Sequence, residues 1–279
     1  MPQAVVDYNA AFVKLIEGVK RRHDPVTTTL AQGVLEYKAR LGLGSGGSSD
    51  AHSLIDLEVQ RFLDRFYMSR IGIRVLIGQH VALHHNDSRP GYVGIIGTRT
   101  NIADIAQEAI DNARFICEEY YGMFRAPAVQ LHCPPRLEFM YVPSHLHHML
   151  FELLKNSLRA TVELHGTEAD AYPPIKVIVA EGKEDITVKI SDEGGGIPRS
   201  ALPAVWTYMY TTAEAPELEP DFNKTDFKAP LAGFGYGLPI SRLYARYFGG
   251  DLKLISMEGY GTDAYLHLSR LGDSEEPLP

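Results

Sequence analysis

The sequence predicts two domains: an N-terminal all-α antiparallel helix bundle over residues 1–125, and a C-terminal α+β sandwich over residues 126–279, in which helices pack on a mixed β-sheet. A length of 279 residues suits two domains of about 100–200 residues each. Up to residue 121 the apolar positions repeat at helical spacing, whereas short strand-like segments become frequent after Pro127. This change from helical to strand-like spacing is the reason for predicting the domain boundary between residues 125 and 126.

Helical spacing in the first half is clearest in two segments. Residues 102–117 carry apolar side chains three and four positions apart, behind Asn101, whose side chain can cap a helix. Residues 53–84 carry a similar stripe, which predicts a long helix. No strand period is visible in this half. The Gly- and Ser-rich run at 41–49 predicts a flexible connector.

The second half alternates strands and helices. Helices are predicted over residues 144–164 and from about Leu238 onward. Two hairpins are predicted, each from a turn between two strand-like segments. The predicted strands and hairpins lie at residues 129–131, at 138–141, at 175–190 and around 258–261.

Composition excludes several classes of function. A net charge of −8 and a pI near 5.8 argue against a nucleic-acid partner, since such proteins neutralise phosphates with basic side chains. No apolar run reaches the roughly 18 residues of a membrane span. Cys117 and Cys133 have neither the number nor the spacing of a disulfide framework, and no targeting segment is visible at the amino terminus.

One face of the helix at 144–164 concentrates polar chemistry. His148, Glu152 and Asn156 follow one another at i, i+4, and Lys155 lies at i+3 from Glu152. The Asn156 carbonyl oxygen suits Mg²⁺, and Glu152 is placed to accept a proton from an attacking hydroxyl. The alternative is a solvated helix face with ordinary ion pairs.

Two glycine-rich segments follow this helix. Asp192 comes at a strand end before three glycines, where its carboxylate can accept a hydrogen bond from an exocyclic amine such as that of adenine. The glycines at 233, 235 and 237 precede a helix start that would present free N–H groups to phosphates. Neither a P-loop nor the protein-kinase motif set is present, which excludes both folds.

These motifs resemble a known superfamily. Glu-x-x-Lys-Asn at 152–156, Asp-x-Gly-Gly-Gly at 192–196, Gly-Phe-Gly-Tyr-Gly-Leu-Pro at 233–239 and Gly-Thr-Asp at 261–263 are similar to the nucleotide-binding domain of gyrase, the ninety-kilodalton heat-shock chaperone, histidine kinases and MutL. Longer strings resemble the mitochondrial pyruvate dehydrogenase kinases, nearest to their plant-type branch, over almost the whole chain. These strings lie at 62–74, 143–146, 208–213 and 240–248.

The resemblance implies a Bergerat-type ATP-binding fold and a protein-serine kinase. Family members transfer the γ-phosphoryl of ATP to serines on the α-subunit of the pyruvate decarboxylase component, which inactivates the complex. It further implies Mg²⁺ and K⁺ as ions, the lipoyl domain of the acyltransferase core as a docking partner, a homodimer, and the mitochondrial matrix as location.

Site residues carry over by position. Glu152 matches the general base, His148 the residue that pairs with this base and tunes it, and Lys155 a position near the phosphates. The positions that match the nucleotide site are Asn156, which is also the Mg²⁺ ligand, Arg159, Asp192, Gly194, Gly196, Thr211, Thr212, Gly233, Phe234, Gly235, Tyr236, Gly237, Leu238 and Thr262.

A second set matches the pocket where family members bind pyruvate or dichloroacetate: His23, Ser69, Arg70, Ile73, Arg74 and Ile77. Arg70 and Arg74 lie one turn apart and could clamp a carboxylate; the alternative is a structural ion-pair network. Lys20 departs from the animal members, which have arginine there. We expect the family's first helices, which close this pocket, to be missing before Met1.

Three other functions stay open. A kinase of the branched-chain α-ketoacid dehydrogenase complex is the nearest enzymatic alternative. A histidine-kinase-like ATPase would share the ATP site but would need a phosphoacceptor histidine, and autophosphorylation of His80 would indicate it. The third is a non-catalytic ATP-binding scaffold.

Overall fold

The computed structural model describes residues 3–40, 49–85, 89–212 and 235–270, with side chains omitted at 38, 39 and 49–56. The predicted connector lies outside these ranges, apart from residue 49. Packing of the described residues gives two compact units that divide between Ile95 and Ile96. The predicted division at 125/126 differs from this one and stays a prediction.

The first unit consists of helices α1 (Gln3–Arg22), α2 (Val26–Arg40) and α3 (Ser49–His84), followed by the two-residue strand β1 (Tyr92–Val93). Helices α1 and α3 run antiparallel, since Phe12 contacts His80 near one end and Arg70 reaches the His23 carbonyl near the other. Their apolar stripes bury Val13, Leu63, Tyr67 and Ile71. The predicted all-α bundle is confirmed.

Two strands, β1 and β2 (Ile96–Asn101), nevertheless lie in the first half, where the sequence shows no strand period. Strand β2 pairs antiparallel with β4 (Glu138–Tyr141). Its six residues include a single large apolar side chain, so no alternating pattern marks it in the sequence. The strand is held by pairing with a segment almost forty residues away and by the buried Thr100 hydroxyl, which donates to the carbonyls of Gly97 and Tyr141 at 3.3 and 3.5 Å.

Helix α4 (Ile102–Tyr121) belongs to the second unit. Asn101 caps it as predicted, with its side-chain oxygen 2.9 Å from the Ala103 amide, and Gly122 ends it in the left-handed conformation at φ 62°. Its apolar stripe packs on α5 (Pro143–His165), the helix that carries the polar face described above. This packing explains why the units divide before α4.

The second unit is built on a five-stranded mixed sheet in the order β3-β5-β6-β8-β7. Strand β3 pairs parallel with β5, and the other pairs are antiparallel. Both predicted hairpins are confirmed, as β5–β6 and β7–β8. The strands are β3 (Val129–His132), β5 (Ile175–Glu181), β6 (Asp185–Asp192), β7 (Asp251–Met257) and β8 (Gly261–Ser269).

Helix α5 and helix α6 (Gly237–Tyr247) cover one face of this sheet, and a short 3-10 helix lies at Ala204–Trp206. The core between sheet and helices contains Ile186, Val188 and Ile190 of β6 with Leu266 and Leu268 of β8. Within the described ranges, no helix has the length and apolar character needed to cross a membrane.

Candidate functional site

A cleft of about 530 Å³ lies between α5, the ends of β6 and β8, and the start of α6. Most of the predicted nucleotide-site residues line it, although they come from segments more than a hundred positions apart. These residues are Glu152, Lys155, Asn156, Arg159, Asp192, Gly194, Gly196, Thr211, Thr212, Gly235, Gly237, Leu238 and Thr262.

The polar face of α5 points into the cleft. Lys155 is 5% exposed, and its Nζ lies 2.8 Å from Glu152 Oε1 and 4.9 Å from the centre of the Phe151 ring. This ion pair is shielded from water, so the lysine holds the carboxylate in one orientation. Asn156 follows one turn after Glu152 and lines the same cleft.

Glu152 also lies against the first residue of α6. A Cβ added to Gly237 would be 2.4 Å from Glu152 Oε2, so a larger residue here would displace the Glu152 carboxylate. The N-terminus of a helix carries partial positive charge from its free N–H groups. The Glu152 carboxylate therefore lies between the Lys155 ammonium and the start of α6, at the edge of the cleft.

His148 lies one turn before Glu152 but does not line the cleft. Its ring packs against Tyr244 of α6, with centroids 5.2 Å apart. Burial lowers the pKa of His148, Glu152 opposes this shift, and Lys155 and His147 add to it. The imidazole is therefore neutral at physiological pH.

Asp192 is 7% exposed and accepts three hydrogen bonds. The register of β6 and β8 places it directly opposite Thr262. Its Oδ1 accepts from the amides of Gly194 and Thr262 at 3.0 and 3.3 Å, and its Oδ2 accepts from Ser157 Oγ at 2.8 Å. A carboxylate has about four acceptor positions, so Oδ2 retains one for a ligand. Burial raises the pKa of Asp192, against the effect of these hydrogen bonds.

Ser157 was not predicted. It is 5% exposed on α5 and holds Asp192 in place, while its own carbonyl accepts from Thr161 Oγ1 at 2.8 Å. The available signal was weak: two hydroxyl side chains, four residues apart, on an otherwise apolar helix face. Only the tertiary structure brings Ser157 to Asp192.

The glycines after Asp192 allow their backbone to pack closely against α5 and the end of β7. A Cβ on Gly194 would be 2.6 Å from the Ala160 Cβ, and one on Gly196, where φ is 69°, would be 2.1 Å from the Met257 carbonyl. Gly195 and Gly259 complete this contact, because the Gly259 amide donates to the Gly195 carbonyl at 2.8 Å. The glycine loop is thereby seated against the β7–β8 turn beside the cleft.

The other rim of the cleft is formed by Arg159, Thr211 and Thr212. Arg159 donates to Thr212 Oγ1 at 3.3 Å and lies 3.6 Å from Glu163. Gly235 lies against the Tyr210 carbonyl at φ 76°, which favours glycine. The side chains on this rim present one guanidinium and two hydroxyls to the cleft.

Three other positions were predicted for the nucleotide site: Gly233, Phe234 and Tyr236. Gly233 and Phe234 lie outside the described residues. Tyr236 is 6% exposed, and its ring packs against Tyr208 at 5.3 Å rather than facing the cleft. It anchors the segment that leads into α6.

The predicted regulatory residues lie in the first unit. Arg70 donates to the His23 carbonyl at 2.9 Å, and Arg74 lies 2.9 Å from the Asp24 carboxylate and 3.5 Å from the Lys20 carbonyl. Both arginines thus satisfy groups at the C-terminal end of α1, the arrangement expected of a structural network. Ser69, Ile73 and Ile77 follow one another at i, i+4 on α3, with Ile73 56% exposed.

Comparison with known proteins agrees with this architecture. Residues 141–271 match the family model described as histidine kinase-, DNA gyrase B-, and HSP90-like ATPase. Residues 1–97 match the model described as mitochondrial branched-chain alpha-ketoacid dehydrogenase kinase.

Three relatives are similar over nearly the whole chain. A mitochondrial pyruvate dehydrogenase (acetyl-transferring) kinase of Schizosaccharomyces pombe is 54% identical over 99% of this chain and 63% of its own length. The corresponding Arabidopsis thaliana kinase is 53% identical over 96% and 70%. Isozyme 3 of the Homo sapiens pyruvate dehydrogenase (acetyl-transferring) kinase is 47% identical over 96% of this chain and 65% of its own length. The chain thus spans about two thirds of the length of these curated relatives.

The fold and cleft of the second unit define an ATP-binding domain of the kind shared by histidine kinases, gyrase B and HSP90. The helical unit before it narrows the assignment to mitochondrial kinases, since residues 1–97 match the model of a mitochondrial branched-chain α-ketoacid dehydrogenase kinase. The chain belongs to the mitochondrial pyruvate dehydrogenase kinase family.

Proposed function

We propose that this chain is a protein-serine kinase that uses ATP to phosphorylate the α-subunit of the pyruvate dehydrogenase decarboxylase component and so inactivates it. One observation carries the proposal: Glu152, Lys155 and Asn156 face the same cleft as the buried Asp192. A scaffold that only bound ATP would need the adenine end of this cleft but not a carboxylate placed for proton transfer.

Glu152 is the proposed general base. It accepts the proton of the substrate serine hydroxyl as the phosphoryl group is transferred. Lys155 and the start of α6 hold the carboxylate in position from two sides. In phosphoryl transfer the protein contributes mainly positioning and charge stabilisation, and a positioned base adds about 10²–10⁴-fold.

Asp192 is the proposed adenine acceptor. The free acceptor position on Oδ2 suits an exocyclic amine, and the three hydrogen bonds from Ser157, Gly194 and Thr262 prevent the carboxylate from rotating. The neighbouring glycine loop allows a flat ring to approach the backbone closely. Nucleotide would thus extend from Asp192 towards the start of α6.

The residues present fit a Mg²⁺ ion bound with the nucleotide. Asn156 is half-buried in the cleft wall and offers the neutral oxygen that Mg²⁺ accepts alongside phosphate oxygens and waters. When bound, the ion would neutralise developing charge on the phosphates. Arg159 is placed to add positive charge at the same end of the cleft. K⁺ remains part of the proposal on resemblance alone.

The relatives support the proposed substrate and location. Those compared are named as mitochondrial kinases of pyruvate dehydrogenase, so we place this chain in the mitochondrial matrix, acting on the decarboxylase α-subunit. Docking to the lipoyl domain of the acyltransferase core and assembly as a homodimer complete the proposal.

The direct test is phosphopeptide mass spectrometry after incubating the chain with Mg-ATP and purified pyruvate dehydrogenase. We expect phosphoserine on the α-subunit in the parent and in Glu108→Gln, which removes an exposed carboxylate of α4, and none in Glu152→Gln. If the branched-chain dehydrogenase is modified instead, that complex is the substrate. Acid-labile phosphohistidine on this chain would indicate a histidine kinase, and ATP binding without transfer to either complex would indicate a scaffold.

The regulatory pocket gives a separate prediction. Arg74→Gln should raise the pyruvate concentration for half-inhibition about 10- to 150-fold if the guanidinium also binds the ligand carboxylate, because a hydrogen bond to a charged group contributes about 1.5–3 kcal/mol. The measurement is inhibition at fixed ATP. The matched control is Arg99→Gln, which removes an exposed arginine paired with Glu138 in the second unit. An unchanged half-inhibitory concentration would leave Arg74 a purely structural role.

A further inference from the structure

A cluster of three polar rings lies between α5 and α6, behind the cleft. His145 and His148 come from the first half of α5, and Tyr244 comes from α6. Tyr244 contacts both imidazoles, with centroids 4.6 Å from His145 and 5.2 Å from His148. None of the three lines the cleft.

Helices α5 and α6 contact each other at two points along their length. His145, His148 and Glu152 follow at i+3 and i+4 on α5, and Gly237 and Tyr244 are two turns apart on α6. Gly237 touches Glu152, and Tyr244 touches His148 one turn earlier. The Tyr244 ring therefore lies against His148 one turn from the contact between Gly237 and Glu152.

Both imidazoles are closed off from water on the side of α6. His148 Nε2 and His145 Nδ1 are shielded from solvent, and neither atom has a hydrogen-bond partner within the described part of the chain. Phe248 covers His145 further, at 5.9 Å. Burial lowers the pKa of His145 to about 4 and that of His148 in the same direction.

The charges around His148 partly oppose one another. From its own helix, Glu152 favours the imidazolium, whereas Lys155 and His147 disfavour it. His147 faces away towards α4, where its Nε2 is 3.1 Å from Asn112 Nδ2. From α6 the group in contact is Tyr244. Burial has the largest effect on the pKa of His148, because a buried cation loses its hydration, and Tyr244 is a ring that covers His148 from α6.

We propose that Tyr244 is a positioning residue: together with His145 it encloses the His148 ring, keeps it uncharged, and so keeps a second cation away from Glu152. An imidazolium one turn from Glu152 would stabilise the carboxylate and make it a weaker base. A neutral ring leaves the Lys155 ammonium as the cation that orients Glu152. The kinetic part of this inference depends on the proposed kinase function; the protonation state of His148 does not.

The test has an NMR arm that is independent of activity. The whole chain is labelled with ¹³C-histidine, and the His148 Cε1–H signal, assigned by its loss in His148→Gln, is titrated from pH 8 to 5. We expect the parent His148 to titrate below its ordinary pKa, because burial lowers it. In Tyr244→Ala water reaches the ring, and His148 should titrate near its ordinary pKa of about 6.5. Tyr244→Phe keeps the ring and should match the parent.

The kinetic arm compares kcat at pH 6.0 and pH 8.0. A group of pKa about 6.5 is about three-quarters protonated at pH 6.0, so Tyr244→Ala should lose an additional factor of about four there relative to the parent. A melting curve for each variant shows whether it is folded, and Tyr244→Leu replaces Tyr244→Ala if the latter is not.

Titration of the parent His148 near pH 6.5 would overturn the proposal, whether or not the variants fold. An unchanged His148 titration in a folded Tyr244→Ala or Tyr244→Leu would also overturn it. So would a loss of kcat at pH 6.0 in Tyr244→Phe equal to that in Tyr244→Ala. If the NMR arm gives the expected result and no phosphoryl transfer is seen in the parent, the proposed function fails and the enclosure of His148 stands.

Discussion

Glu152→Gln is expected to lower the rate of phosphoryl transfer by about 10²–10⁴-fold, the range typical of a lost general base, while nucleotide affinity changes little. Glutamine has the shape of glutamate, and its carbonyl oxygen can still accept from Lys155 Nζ, which lies 2.8 Å from Glu152 Oε1. The wall of the cleft therefore stays in place. The proton acceptor is lost, because the amide is far less basic than the carboxylate.

The measurement separates kcat from binding. Single-turnover transfer at saturating Mg-ATP gives the chemical step, and calorimetric titration with a nucleotide gives the affinity. Glu108→Gln on α4 is the matched control, since it makes the same chemical change at an exposed position outside the cleft. A large loss of nucleotide affinity with an unchanged single-turnover rate would give Glu152 a structural role and refute its assignment as the base.

Asp192→Ala is expected to have the opposite profile, with nucleotide affinity falling about 10- to 150-fold, the equivalent of about 1.5–3 kcal/mol for one hydrogen bond to a charged group. The free acceptor position on Oδ2 disappears. The Ser157 hydroxyl and the amides of Gly194 and Thr262 also lose their acceptor, so the loop beside the cleft loosens. A lower melting temperature should accompany the loss, because unpaired buried donors are costly.

Asp263→Asn provides the control for Asp192→Ala. Asp263 is next to Thr262 on β8, but it faces the other side of the sheet, where it pairs with Lys189 at 2.7 Å. Its replacement should leave nucleotide affinity unchanged. Adenine and guanine nucleotides are compared in both variants, since an adenine acceptor should contribute to the preference for ATP. Equal affinity of Asp192→Ala and the parent for ATP would refute the adenine assignment.

Local patterns predicted much of this molecule because the responsible forces act over one or two helical turns. The spacing of Glu152, Lys155 and Asn156 on one face follows from helix geometry alone, and the structure shows all three on the wall of the same cleft. The Asn101 cap was predictable for the same reason. The alternation in β5 and β6 likewise indicated their hairpin.

Long-range contacts explain what the sequence patterns missed. Strand β2 has too few apolar residues to stand out and depends on pairing with β4. Ser157 resembles any small polar residue until the fold brings it 2.8 Å from Asp192. The apolar stripe of α4 predicts a helix, but it does not reveal that this helix packs on α5 in the second unit.

The sequence by itself determined the two-part architecture, the ATP-binding motifs and the family. Helical period, strand alternation and glycine spacing are patterns of residues that are close together in the sequence. Only the tertiary structure decided which of these residues share a cleft, that Tyr236 packs inward, and that His148 lies under Tyr244 rather than in the cleft. Side-chain burial and pKa depend on groups far away in sequence, and these groups come together only when α5, α6 and the sheet pack.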